Sequence, residues 1–248
     1  MPAPPLRSTT WAQWGESYWR QARRPLASLI FATPLLVAYE AGVVLLRQHA
    51  VRNGADAWMR QWLDALGFGQ YFLLPVLCVC ILLGWHHLSR QPWRVSVPVL
   101  YGMAGECVLL AFCLRMLLRL QAILMQTIAG ALRLSIPGTI GTVTAYLGAG
   151  VYEELLFRLI LLSSGIGLLR WLRASRQASI VVGALASSLL FAIAHYVGPY
   201  GEPFIWFTFL FRFLAGMFFS VLFLTRGFGI AAGTHAGYDV LVGLAAGQ

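Results

Sequence analysis

Three short stretches carry side chains that could do hydrolytic chemistry, and all three lie in runs that are otherwise apolar. "GAGVYEELLFRLILL" holds Glu153, Glu154 and Arg158, "LLFAIAHYVGP" holds Phe191 and His195, and "GTHAGYDVL" holds His235 and Asp239. An Asp or Arg at the centre of a membrane helix costs roughly 2.5–3.5 kcal/mol on insertion scales, so each such group needs pairing or chemistry to keep it there. On a helix, Glu154 and Arg158 share a face because they are four apart, whereas Glu153 points about 100° away from Glu154. That spacing predicts a Glu154–Arg158 ion pair that neutralises the arginine and holds the helix in place. It leaves Glu153 as a free carboxylate suited to act as a general base on water. The competing reading makes all three groups one packing network between helices. His235 and Asp239 also stand four apart, in a segment whose Gly229, Gly233 and Gly237 let neighbouring helices approach closely. His195, four residues after Phe191, reads as an interfacial or satisfied core histidine unless other polar groups converge on it.

The elements that must position these groups are membrane helices. The chain has 248 residues, 59% of them hydrophobic, and a mean hydropathy of +0.72, against about 45–50% apolar residues in soluble domains. An all-α, polytopic transmembrane bundle follows, with spans expected near 25–46, 68–87, 96–118, 142–166, 178–197, 204–224 and 228–245. Residues 120–140 read as a short re-entrant or additional helix. Trp11, Trp14 and Tyr18, followed by Arg20, Arg23 and Arg24, suggest an N-terminal interfacial segment over 1–24, and Trp58, Trp62 and Leu66 beside Arg60 and Asp64 suggest a second interfacial helix. The remainder, 25–248, reads as one transmembrane domain with its catalytic core at about 142–245.

Charge points to the bilayer as partner and away from nucleic acid. All 18 basic residues are Arg, the net charge is +9, and most arginines sit in short gaps between apolar runs. Of the fifteen arginines that lie outside the expected spans, a cytoplasmic N-terminus puts ten on the inner side of the membrane and five on the outer side, the orientation that the positive-inside rule favours. The exclusive use of Arg suggests a GC-rich bacterial genome and hence a bacterial cytoplasmic membrane. Cys78, Cys80, Cys107 and Cys113 lie in apolar runs without CxxC or ligand spacing and read as small core residues. Five of the nine acids, Glu40, Glu106, Glu153, Glu154 and Asp239, fall in expected spans, as do Arg115, Arg158 and Arg212; such a concentration is a functional-site hypothesis by default.

The order Glu-Glu-x-x-x-Arg (Glu153 to Arg158), Phe-x-x-x-His (Phe191 to His195) and His-x-x-x-Asp (His235 to Asp239), each on its own hydrophobic segment, resembles the CPBP or Abi family, which includes type II CAAX prenyl endopeptidases. The resemblance covers roughly the last 105 residues. It implies an intramembrane endopeptidase acting on a membrane-associated protein, with Glu153 and His195 activating water and with His235 and Asp239 binding the oxyanion. Glu154, Arg158 and Phe191 would support the site. The family more often has Asn at the last position, and an ionised Asp cannot donate a hydrogen bond. Asp239 is therefore either a protonated donor or a carboxylate that orients His235. Leu159 also departs from the Gly that many members carry after the Arg. No cofactor is expected; the alternative is zinc held by Glu153, His195 and His235, although no compact zinc signature is present. A transporter that uses the buried charges as an ion path, or a non-catalytic scaffold, would have to explain why every motif position is filled.

Overall fold

A computed structural model describes residues 18–47, 52–69, 72–126, 140–198 and 201–246. Among these the chain is helical, without strands. The helices are α1 (Pro25–Leu46), α2 (Gly54–Ala65), α3 (Leu73–Leu88), α4 (Val97–Gln126), α5 (Ile140–Gly148), α6 (Ser163–Trp171), α7 (Arg176–Ala194), α8 (Trp206–Arg226) and α9 (Phe228–Ala246). Between α5 and α6 the helical path continues through π-helical turns at Ala149–Glu153 and Leu155–Leu162.

Local chemistry sets several of these boundaries. Pro25 opens α1, where its missing N–H costs nothing. Asn53 and Ser175 cap α2 and α7 by accepting from the backbone N–H groups of Ala55 and Ala178. Gly227, at φ 89°, ends α8 with its N–H on the carbonyls of Leu222 and Phe223, and α9 starts at the next residue. A side chain there would be strained, and its Cβ would press on the Arg23 backbone.

Among the described residues, four helices, α1, α4, α7 and α8, are long and apolar enough to cross a hydrocarbon core of about 30 Å. The protein is an integral membrane protein on that evidence, and the expected seven spans go beyond it. Helix α3 has 16 residues, the stretch expected as the span 142–166 is an α–π–α path, and α4 runs on to Gln126. The 120–140 segment is thus α-helical up to 126, and its remainder lies outside the described residues. Trp11 and Trp14 lie outside them too.

Of the N-terminal segment, Tyr18 is buried and donates to Glu106 in α4, while Trp19 is exposed. In α2, Asp56 is fully buried, while Trp62 and Leu66 face outward and Asp64 is exposed. Of the cysteines, Cys78 and Cys107 are core residues, but Cys80 and Cys113 are exposed.

Helix α9 is the central element, packed against α1, α4, α5, α8 and the first π turn. On its site side the close approach comes from the facing helix: a Cβ on Gly150 would stand 2.6 Å from the Ala236 nitrogen and 2.7 Å from the Ala232 oxygen. Gly229 and Gly233 instead admit α1 and α4 on the opposite flank.

Candidate active site

The π-helical path places Glu153 and Glu154 on the flank that faces α9, and wide turns of this kind recur at functional sites. Glu154 and Arg158 are fully buried, and Oε1 of Glu154 lies 3.2 Å from Nη1 of Arg158. This is an ion pair without hydrogen-bond alignment at that nitrogen. Arg158 Nη2 donates to the Gly216 carbonyl of α8 at 3.1 Å, and its guanidinium lies 4.4 Å from the Phe191 ring and 5.5 Å from that of Phe219. The three aromatic rings around it, with Phe157, make the desolvated charge tolerable through cation–π contact.

Glu154 has a second partner that spacing along one helix does not reveal. Its Oε1 is 2.8 Å from Nδ1 of His235, across 81 residues. The imidazole of His235 stacks on Phe219 at 4.4 Å, which fixes its plane, and Nε2 points to the other side. There it meets Oε2 of Glu153 at 3.8 Å and Oδ2 of Asp239 at 3.6 Å. Helix α7 ends just before His195, whose Nδ1 lies 2.8 Å from the Phe191 carbonyl. A carbonyl only accepts, so Nδ1 carries a hydrogen, and in the neutral ring the Nε2 that faces Glu153 Oε2 at 3.9 Å is the unprotonated nitrogen. The four residues Glu153, His195, His235 and Asp239 therefore gather around one point, with Phe191 packed against both imidazoles.

Glu153 is not free, contrary to the helix-face argument. Its Oε1 accepts from Nδ2 of Asn53, at the start of α2, at 2.7 Å. Sequence reasoning passed over Asn53; the only local signal was its fitness as a helix cap. Glu153 Oε2, by contrast, is buried and has no hydrogen-bond partner among the described residues. The site opens into a cleft of about 170 Å³ between the start of α2 and the turn after α7, lined by Asn53, Trp58, Glu153, Phe157, His195 and Glu202. That is about ten times the space a single water needs. Leu159, on the second π-helical turn, is buried.

The zinc alternative can be tested against the donor set. Tetrahedral zinc with ligands at about 2.0–2.1 Å brings donor atoms to about 3.3 Å from one another. The Glu153-to-histidine separations of 3.8 and 3.9 Å are wider, and among the described residues no three His, Cys, Asp or Glu side chains form a group that could hold a metal ion. As they stand, these residues do not fit zinc.

Comparison with known proteins agrees with the motif reading. Neither the curated proteins nor the solved structures include a match to this chain. The family model described as type II CAAX prenyl endopeptidase, Rce1-like, matches residues 135–241. That stretch contains every motif residue from Glu153 to Asp239, so the part of the chain that holds the site is similar to type II CAAX prenyl endopeptidases of the Rce1-like kind.

Proposed function

We propose that the protein is a glutamate-dependent, metal-free intramembrane endopeptidase that hydrolyses a peptide bond of a membrane-associated protein. The observation that carries this reading is the placement of Glu153 Oε2, buried, without a hydrogen-bond donor among the described residues, and 3.8–3.9 Å from the Nε2 atoms of both histidines. Such separations are too long for direct hydrogen bonds and suit a shared water. A water between Glu153 Oε2 and the unprotonated Nε2 of His195 donates one hydrogen to each and turns its lone pairs to the substrate carbonyl. As the water oxygen bonds to the carbonyl carbon, Glu153 takes a proton and the carbonyl π pair moves onto its oxygen. Collapse of the tetrahedral intermediate breaks the C–N bond, and the proton held by Glu153 passes to the departing amine.

His235 and Asp239 are assigned to the oxyanion. Because Nδ1 of His235 is committed to Glu154, its Nε2 donates to an oxyanion only in the doubly protonated ring, and the Glu154 carboxylate is the counter-charge that supports that form. Glu154 thus acts on the site through His235 as well as on Arg158. Asp239 flanks the same Nε2 and reaches the oxyanion if it carries a proton.

The family's description points to a protein with a prenylated C-terminal motif as substrate class, and the arginine distribution supports a bacterial cytoplasmic membrane with the N-terminus inside. The test is mass spectrometry of membrane-protein termini in cells carrying wild-type protein or Glu153→Gln. Processed termini present only with the wild type are expected; identical termini would sink the protease reading. Chelators are expected to leave activity intact. Inactivation with recovery on added zinc would replace the metal-free mechanism by the zinc one.

A further inference from the structure

Asn53 lies outside the family-matched stretch, yet it touches Glu153. We propose that Asn53 is a positioning residue for catalysis, which holds the Glu153 carboxylate so that Oε2, and not Oε1, faces His195 and His235. The proposal rests on the protease reading above. A carboxylate has two equivalent oxygens and rotates readily about its last bond. The hydrogen bond of 2.7 Å from Asn53 Nδ2 occupies one oxygen and commits the other to the histidines.

The amide itself cannot turn round. Its Oδ1 accepts from the Ala55 N–H at 2.9 Å as the α2 cap, so Nδ2 must face Glu153. The backbone N–H of Asn53 is held in turn by the Tyr39 hydroxyl at 3.3 Å. That hydroxyl donates to the fully buried Asp56 at 2.8 Å, and Asp56 also binds Arg52 and Arg60. Arg60 continues to Glu40 at 3.1 Å, and Glu40 accepts from Tyr152, the residue before Glu153. The chain of bonds begins and ends on the catalytic helix. This accounts for the inward-facing Asp56 and Arg60 of α2, which fasten Asn53 at the base of the cleft, while Asp64 is exposed.

The experiment uses Asn53→Asp and Asn53→Ser in the full-length protein, reconstituted in proteoliposomes with an internally quenched peptide ending in a prenylated CAAX sequence. Both variants keep a good helix cap, but an ionised Asp cannot donate and the Ser hydroxyl is too short to reach Glu153. A carboxylate displaced by about 1 Å should lower kcat on the order of 100-fold, with KM unchanged. Unchanged kcat in both variants, or a loss confined to KM, overturns the positioning role. A second measurement is independent of activity: thermal unfolding of Asn53→Ser, Glu153→Ala and the double variant. Tm losses smaller together than summed support the contact, and additive losses overturn it. A wild type that cleaves no peptide, with the non-additivity intact, overturns the protease reading and the catalytic role with it.

Discussion

Two carboxylates within the helical bundle, the half-buried Glu106 and the buried Glu153, are treated in opposite ways. Both oxygens of Glu106 are occupied: Oε1 by Arg226 Nε at 2.5 Å, and Oε2 by Arg226 Nη2 at 2.6 Å and by the Tyr18 hydroxyl. Burial and the neighbouring Glu106 charge push the pKa of Tyr18 up, so the phenol stays a donor. The Arg226 guanidinium in turn lies 3.5 Å from the Trp19 ring. Glu153 has one oxygen satisfied by a neutral amide and the other facing two imidazoles across gaps of 3.8 and 3.9 Å. A saturated carboxylate fastens helices together, whereas one left short of donors in a confined space has capacity for a proton or a water. Burial alone does not separate structural charges from chemical ones; the count of donors per oxygen does.

The largest effect that would sharpen this contrast is loss of Glu153 as a base. Glu153→Gln keeps an oxygen that can accept from Asn53 and keeps the side-chain shape, so the fold should survive. Turnover should fall on the order of 100- to 10,000-fold, the usual contribution of a positioned general base. Activity assays beside thermal unfolding in detergent check both halves. A variant that unfolds early would place Glu153 with Glu106 among the structural carboxylates and break the comparison.

Glu106→Gln and Glu154→Gln come next, because each leaves a buried arginine short of its counter-charge. The cost should be about 3–5 kcal/mol for the fully buried Glu154–Arg158 pair and at the lower end of that range for the slightly more accessible Glu106–Arg226 pair. The two should then diverge. Glu106→Gln should leave the activity of the folded fraction unchanged, while Glu154→Gln should lower it as well, since Glu154 also holds His235 at 2.8 Å. Activity normalised to folded protein separates them, and equal retention in both would confine Glu154 to a structural role.

What sequence made legible were features recorded within one helix. The first apolar run was delimited at 25–46, where α1 lies, because a proline start and an uninterrupted hydrophobic stretch are local. The Glu154–Arg158 pair was legible for the same reason, as residues four apart meet on any helix. The contacts that define the site are long-range: Asn53 to Glu153 spans 100 residues and Glu154 to His235 spans 81, and periodicity carries no trace of either. Periodicity also shows that α2 has two faces without showing which is buried. Trp58, Trp62 and Leu66 beside Arg60 and Asp64 suggested an interface, and nothing in that pattern shows that Asp56 and Arg60 turn inward to each other. The π turns were equally hidden, for nothing in an apolar run distinguishes a wide turn from an ordinary one.

The smallest expected effect concerns Asp239, and it tests which carboxylate orients His235. If Asp239 held the imidazole, it would have to bond Nδ1, yet that nitrogen is 2.8 Å from Glu154, while Asp239 stands 3.6 Å from Nε2 on the side of Glu153. Orientation is thus already supplied, and under the proposed mechanism Asp239 is free to act on the charge that develops during attack. A protonated acid and an amide both offer a donor there. Asp239→Asn should therefore keep activity within a few-fold of wild type, whereas Asp239→Leu, similar in size but without a donor, should lose on the order of 100-fold, as removal of one oxyanion donor does elsewhere. Steady-state rates with the same quenched peptide decide the matter. A large loss in Asp239→Asn would mean that the site needs a charge at this position, and the oxyanion would then rest on His235 alone.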